Sequence, residues 1–131
     1  MAVAAQADTG VSVSVMLVDD SPAFVRAARS LIESVPGFHV IGEAASGEQA
    51  VDGVREAAPD LVLMDVRMPG IGGIEATRRI RSMRLGTTVV LVSSEDASDL
   101  PESAQTCGAA AFMTKTSLAP ATVADLRRLV G

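Results

Sequence analysis

The sequence predicts an α/β domain: a three-layer sandwich in which one all-parallel sheet lies between helices. Three observations predict it. Short apolar runs such as Val15-Met16-Leu17-Val18 and Leu61-Val62-Leu63-Met64 alternate along the chain with stretches of helical apolar spacing. Those runs are continuous rather than alternating, the pattern of strands buried on both faces. Aromatic residues make up 2% of a chain that is 48% hydrophobic, so its core is aliphatic. A length of 131 residues suits one domain with one sheet.

Strand one is expected from Val11 to Val18, ending at Asp19 and Asp20. Ser21 then caps a helix with Pro22 at its first position, and Phe24, Ala28, Leu31, Ile32 and Val35 recur at helical spacing until Pro36-Gly37. His39 to Glu43 makes strand two. Ser46 and Gln49 resemble the reciprocal pair of a capping box, opening a helix that buries Ala50, Val51, Val54, Ala57 and Ala58 before Pro59. Strand three, Leu61 to Met64, delivers Asp65, and the Pro69-Gly70 and Gly72-Gly73 loop leads to a helix marked by Ile74, Ala76, Ile80 and Met83. Strand four, Thr88 to Val92, ends at Ser93. A short polar helix follows over Asp99 to Thr106, with Pro101 near its start. Strand five, Ala109 to Met113, delivers Thr114 and Lys115, and a last helix runs from Pro120 to Val130, burying Val123, Leu126 and Val130. Right-handed crossovers join the five units.

A formal charge of −5 argues against nonspecific binding to nucleic acid or to an anionic membrane. Cys107 is the single cysteine, so an internal disulfide and a cysteine-built zinc site are excluded; it reads as a buried small apolar residue. His39 reads as structural. Residues 1–10 lack the pattern of a signal peptide and are expected to form a loose tail before a domain over residues 11–131. No run approaches membrane-spanning length, and the expected compartment is the cytoplasm.

In parallel sheets the carboxyl ends of the strands form the ligand-binding edge, and here that edge collects Asp19, Asp20, Asp65, Ser93 and Lys115. Grouped carboxylates repel one another, so a hard divalent cation is the natural reason to keep them together. Mg²⁺ takes oxygen ligands and retains waters, which two or three carboxylates and a main-chain carbonyl satisfy. With the metal bound, Asp65 can attack phosphorus and become an acyl phosphate, while Lys115 and the Ser93 hydroxyl meet phosphoryl oxygens.

Over Val11 to Val130 the chain resembles the response-regulator receiver domains of two-component signalling, closest to those that precede LuxR/NarL-type DNA-binding modules. The resemblance is carried by Val18-Asp19-Asp20-Ser21, by Pro59 through Gly70 around Asp65, by Val92-Ser93-Ser94, and by Gly108 through Lys115. It implies a flavodoxin-like (βα)5 fold with strand order 2-1-3-4-5. It also implies Asp65 as the phosphoacceptor, Asp20 as a direct Mg²⁺ ligand, Asp19 as a ligand mainly through water, and the Arg67 main-chain carbonyl as a further ligand. Ser93 and Lys115 would bind the phosphoryl group, and Phe112 would be the aromatic that turns inward when Ser93 is drawn to the phosphate. Two departures stand out: Thr116 follows the lysine where many receivers have proline, and Gly72 stands where an acid or amide is common.

The function expected from this is that of a single-domain response regulator. It is charged on Asp65 by a sensor histidine kinase or phosphotransfer protein and switches a protein-binding face, as a monomer or a phosphorylation-dependent dimer. It would catalyse only its own phosphorylation and dephosphorylation. The Arg67 side chain is expected to reach the phosphoryl group or its attacking water and so to alter the lifetime of the phosphorylated state. With the last helix ending at Val130, no output module is expected. An atypical receiver used as a phosphorylation-independent docking module is the alternative. An Asp-nucleophile phosphatase is disfavoured because Arg67 stands where its second acid belongs; a flavin protein is disfavoured because acids, not a phosphate-cradling loop, follow strand one.

Overall fold

Residues 12–130 are described by a computed structural model, so the expected tail at 1–10 and the strand start at Val11 lie outside the described residues. The β-branched and aliphatic runs form five parallel strands: β1 (Val13–Val18), β2 (Phe38–Ala44), β3 (Leu61–Asp65), β4 (Thr88–Ser93) and β5 (Ala111–Thr114). Their order is β2-β1-β3-β4-β5, as the resemblance implied. Helices α1 (Pro22–Glu33), α2 (Gly47–Ala57), α3 (Gly72–Ser82), α4 (Ser103–Thr106) and α5 (Pro120–Asp125) connect or follow them.

Alternation along the strands divides the core in two. Val13, Val15, Leu17, Leu61, Leu63, Val90 and Val92 face α1 and α5, where Val25, Ala28, Ile32, Val123 and Leu126 complete the layer. Met16, Val18, Val62, Met64, Val89 and Leu91 face the opposite way, against Ala50, Val51 and Val54 of α2 and Ala76 and Ile80 of α3. Cys107 is buried in this second layer, whereas His39 is exposed.

Several expected boundaries shift. β2 begins at Phe38 and runs to Ala44, longer than His39 to Glu43. Ala57 and Ala58 are exposed rather than buried, because α2 ends there with Ala58 in the left-handed region at φ 42°. The expected Ser46–Gln49 box is half realised: Gln49 N–H donates to Ser46 Oγ at 3.1 Å, but Gln49 Oε1 accepts from Ala45 N, one residue earlier. The fourth helix shrinks to a 3₁₀ turn (Ala97–Asp99) and the single turn of α4, since Leu100 and Ala104 alone offer this segment an apolar face. β5 starts at Ala111, not Ala109. The last helix is α-helical only to Asp125 and tightens to a 3₁₀ turn over Leu126–Leu129, where Arg127 donates to the Pro36 carbonyl at 2.8 Å and lies over the Phe38 ring.

One close approach fixes the functional edge. α3 begins directly against the end of β3: Gly73 N–H donates to the Val66 carbonyl at 3.0 Å, and a Cβ on Gly73 would stand 1.9 Å from the Asp65 carbonyl oxygen. Only glycine permits this contact, and it sets the path of the loop after Asp65. Gly73→Ala is therefore expected to destabilise the fold by at least about 1–3 kcal/mol, the cost of overpacking against backbone that cannot give way. Urea unfolding of the variant against wild type measures this, and an unchanged midpoint would show that the loop has room to move.

Candidate functional site

The strand register brings the predicted residues to one edge. Val18 lies opposite Met64, so Asp19 and Asp65 each stand one residue beyond that pair. Asp65 in turn faces Val92, and Ser93 faces Thr114, which precedes Lys115. Alternation also sorts them. Asp65 continues the Leu61-Leu63 series on the α1/α5 side, whereas Ser93 continues the Val89-Leu91 series on the α2/α3 side. Phe112, opposite Leu91, packs on that second side as a partly buried residue two positions back from the level of Ser93.

The three acids converge. Carboxylate oxygens of Asp19, Asp20 and Asp65 all lie within 4.8 Å of one another, with Asp19 and Asp65 only 3% and 6% exposed and Asp20 open to solvent. Asp19 uses its two oxygens differently. Oδ1 accepts from Ser21 N–H at 2.8 Å, in the turn that starts α1. Oδ2, buried, lies 2.6 Å from Lys115 Nζ in an ion pair. Lys115 stands farther from Asp65, 3.9 Å from its Oδ2. One ammonium thus stands against three carboxylates. Burial, followed by the charge of Asp19, raises the Asp65 pKa from 3.8 to about 6, while Lys115 and the Arg67 backbone amide pull it partly down.

Ser93 is buried at 1% exposure, and its Oγ accepts from Glu95 N–H at 3.0 Å, leaving its hydroxyl proton available to a ligand. The Arg67 side chain does not point at Asp65. It reaches across to Glu95 at 2.6 Å and is largely exposed, a partner the sequence reading did not name for it. Glu95 was not singled out from sequence; an acid two residues beyond Ser93, facing a base two residues beyond Asp65, was the available signal. Beside the acid pair, on the β2 side, opens a groove of about 350 Å³ bounded by Asp19, Asp20, Arg26, Glu43 and Gln49.

The donor set fits a hard cation. It consists of oxygens alone, clustered on one edge, with three carboxylates against one ammonium. Nitrogen and sulfur ligands that would favour zinc or copper are absent from the cluster.

Comparison with known proteins agrees with this geometry. The family model for the response regulator receiver domain matches residues 15–127. Response regulator UvrY of Escherichia coli K12 is 36% identical over 115 residues, covering 88% of this chain and 53% of that protein. The chain therefore spans about half the length of such curated relatives. Among solved structures, the signal receiver domain of the putative response regulator NarL from Mycobacterium tuberculosis superposes with a TM-score of 0.84 at 31% identity, covering 91% of this chain and 96% of that one. A chain of the CheX-CheY-BeF3-Mg²⁺ complex from Borrelia burgdorferi gives 0.80 at 30% identity, covering 95% and 94%.

Electrostatic crowding gives the site a pH signature in metal-free protein. With a folded pKa of about 6 against an ordinary 3.8, Asp65 holds its proton more firmly folded than unfolded. Its contribution to stability is thus complete below about 3.8 and lost as pH rises through about 6. Asp65→Asn is expected to raise metal-free stability at pH 7 by about 1–3 kcal/mol, with the gain shrinking steadily toward pH 4. Urea unfolding across that range, with chelator present, checks both sign and slope. A pH-independent difference would contradict the burial-driven shift.

Proposed function

The chain belongs to the response regulator receiver domain family, and we propose that it works there as a Mg²⁺-dependent phosphoryl acceptor on Asp65. The observation that carries this reading is the convergence of the Asp19, Asp20 and Asp65 carboxylates within 4.8 Å, with Lys115 beside them. Asp19, Asp20, Asp65 and the Arg67 main-chain carbonyl would hold the metal. When bound, Mg²⁺ supplies positive charge that lets anionic carboxylate and anionic phosphoryl donor approach.

The chain's own groups do the rest. A free Asp65 oxygen attacks phosphorus in line with the departing group, forming the O–P bond of an acyl phosphate as the donor's bond to phosphorus breaks. Lys115, already 3.9 Å from Asp65, meets a phosphoryl oxygen as a point charge. Ser93, held by Glu95 N–H, turns its hydroxyl proton to another. Drawing Ser93 toward the phosphate vacates space on the α2/α3 side, where Phe112 lies partly buried, and so biases a two-state face near α4 and β5. The donor would be a sensor histidine kinase or phosphotransfer protein in the cytoplasm. The similar Borrelia burgdorferi complex is one with BeF3 and Mg²⁺, which supports a site of this chemistry. Among the described residues no helix is long and apolar enough to cross a membrane. We propose no turnover of an external metabolite.

The one-turn α4 favours a second reading, in which the domain docks a partner without being phosphorylated. Intact-mass measurement with Mg²⁺ and acetyl phosphate separates the two. The expected result is one added phosphoryl group, abolished by chelation or by Asp65→Asn, and formed about a hundredfold more slowly in Lys115→Ala, the order of loss for one charge-stabilising donor. Failure with acetyl phosphate and with a histidine-kinase donor alike would leave the docking reading.

A further inference from the structure

We infer that Phe24 is a positioning residue for Lys115: the face of its ring holds the ammonium over the gap between Asp19 and Asp65. The inference rests on Asp65 as phosphoacceptor and names the group that aims the cation at the incoming phosphoryl oxygen.

Lys115 leaves the sheet immediately after β5, and its Nζ lies 4.4 Å from the centroid of the Phe24 ring, 2.6 Å from Asp19 Oδ2 and 3.9 Å from Asp65 Oδ2. An ammonium on a four-carbon stem has many rotamers, and holding it at one point needs more than one attraction. Asp19 provides one. A divalent cation held by Asp19 would weaken that attraction, since its charge would compete for the carboxylate and repel the ammonium. The ring face is an attraction that no metal competes for.

The ring is itself tied to the acid it works beside. Asp19 Oδ1 accepts from Ser21 N–H at 2.8 Å, and Ser21 Oγ accepts from Phe24 N–H at 3.3 Å. From Asp19 the contacts run through Ser21 and Phe24 to Lys115 and return to Asp19, a closed circuit that couples the start of α1 to the end of β5. Packing alone does not account for an aromatic at this position. The core face of α1 is carried by Val25, Ala28 and Ile32, and Phe24 lies only partly buried beside them. Leucine would serve for that contact; a cation needs the ring.

Two readouts test it, one of which needs no phosphodonor. In metal-free wild type the Lys115 ε-methylene protons should resonate upfield from ring current, stay so in Phe24→Tyr, and return to the ordinary lysine position in Phe24→Leu. With Mg²⁺ and acetyl phosphate, Phe24→Leu should take up phosphoryl on Asp65 about threefold or more slowly, while Phe24→Tyr keeps the wild-type rate. In a Lys115→Ala background, Phe24→Leu should have no further effect, because the ring acts only through the ammonium. The inference is overturned by an unshifted Lys115 methylene, by wild-type uptake in Phe24→Leu, or by an equal slowing in the Lys115→Ala background. Absence of uptake in wild type would overturn the phosphoacceptor reading instead, and the ring-current shift would still decide where the ammonium is held.

Discussion

Crowding of negative charge at the carboxyl end of the sheet is the constraint on which the rest of the structure depends. Asp19 and Asp65 are buried, Asp20 lies within reach of both, and a single ammonium stands near them. Burial in low dielectric makes such a group costly, and the rise of the Asp65 pKa to about 6 is the measure of that cost. A fold selected for stability alone would not gather these side chains. Parallel strands supply the means, since every strand in the sheet ends at the same edge and continuous aliphatic burial on both faces supports it.

The contacts at this edge divide along the two faces of the sheet. The α1/α5 side, reached by Asp19, Asp65 and Lys115, is tied by short contacts: Asp19 to Ser21, Ser21 to Phe24, Lys115 to Asp19. The side reached by Ser93 and Phe112 adjoins the single turn of α4, a polar segment with few apolar anchors. Between them the Arg67–Glu95 ion pair joins the loop after Asp65 to the loop after Ser93. Arg67 is largely solvated and Glu95 partly so, so the pair contributes little to stability, but it ties the two loops together.

Most of the architecture was legible in the sequence because its signals are local and physical. Ser21-Pro22 started α1 as read, with Ser21 accepting from Phe24 N–H; Leu61 to Met64 delivered Asp65; and the strand order followed from the resemblance. What sequence did not yield depends on direction in space. Nothing in the spacing said that Lys115 would lie nearer Asp19 than Asp65, that Arg67 would turn to Glu95, or that Phe24, counted as a core residue of α1, would lie against an ammonium. The fourth and last helices failed for a different reason. Asp99 to Thr106 has too little apolar surface to hold a longer helix, and the end of the chain tightens where Arg127 docks on the Pro36 carbonyl and the Phe38 ring, contacts distant in sequence.

Under the proposed function a divalent cation relieves this crowding. The most direct measurement is the urea midpoint as a function of Mg²⁺ at constant ionic strength and neutral pH, with Asp20→Asn alongside. The account predicts a midpoint that rises with Mg²⁺ and continues to rise by mass action above the dissociation constant, with the response largely lost in Asp20→Asn. A wild-type midpoint indifferent to Mg²⁺, or one that rises equally in the variant, would contradict it.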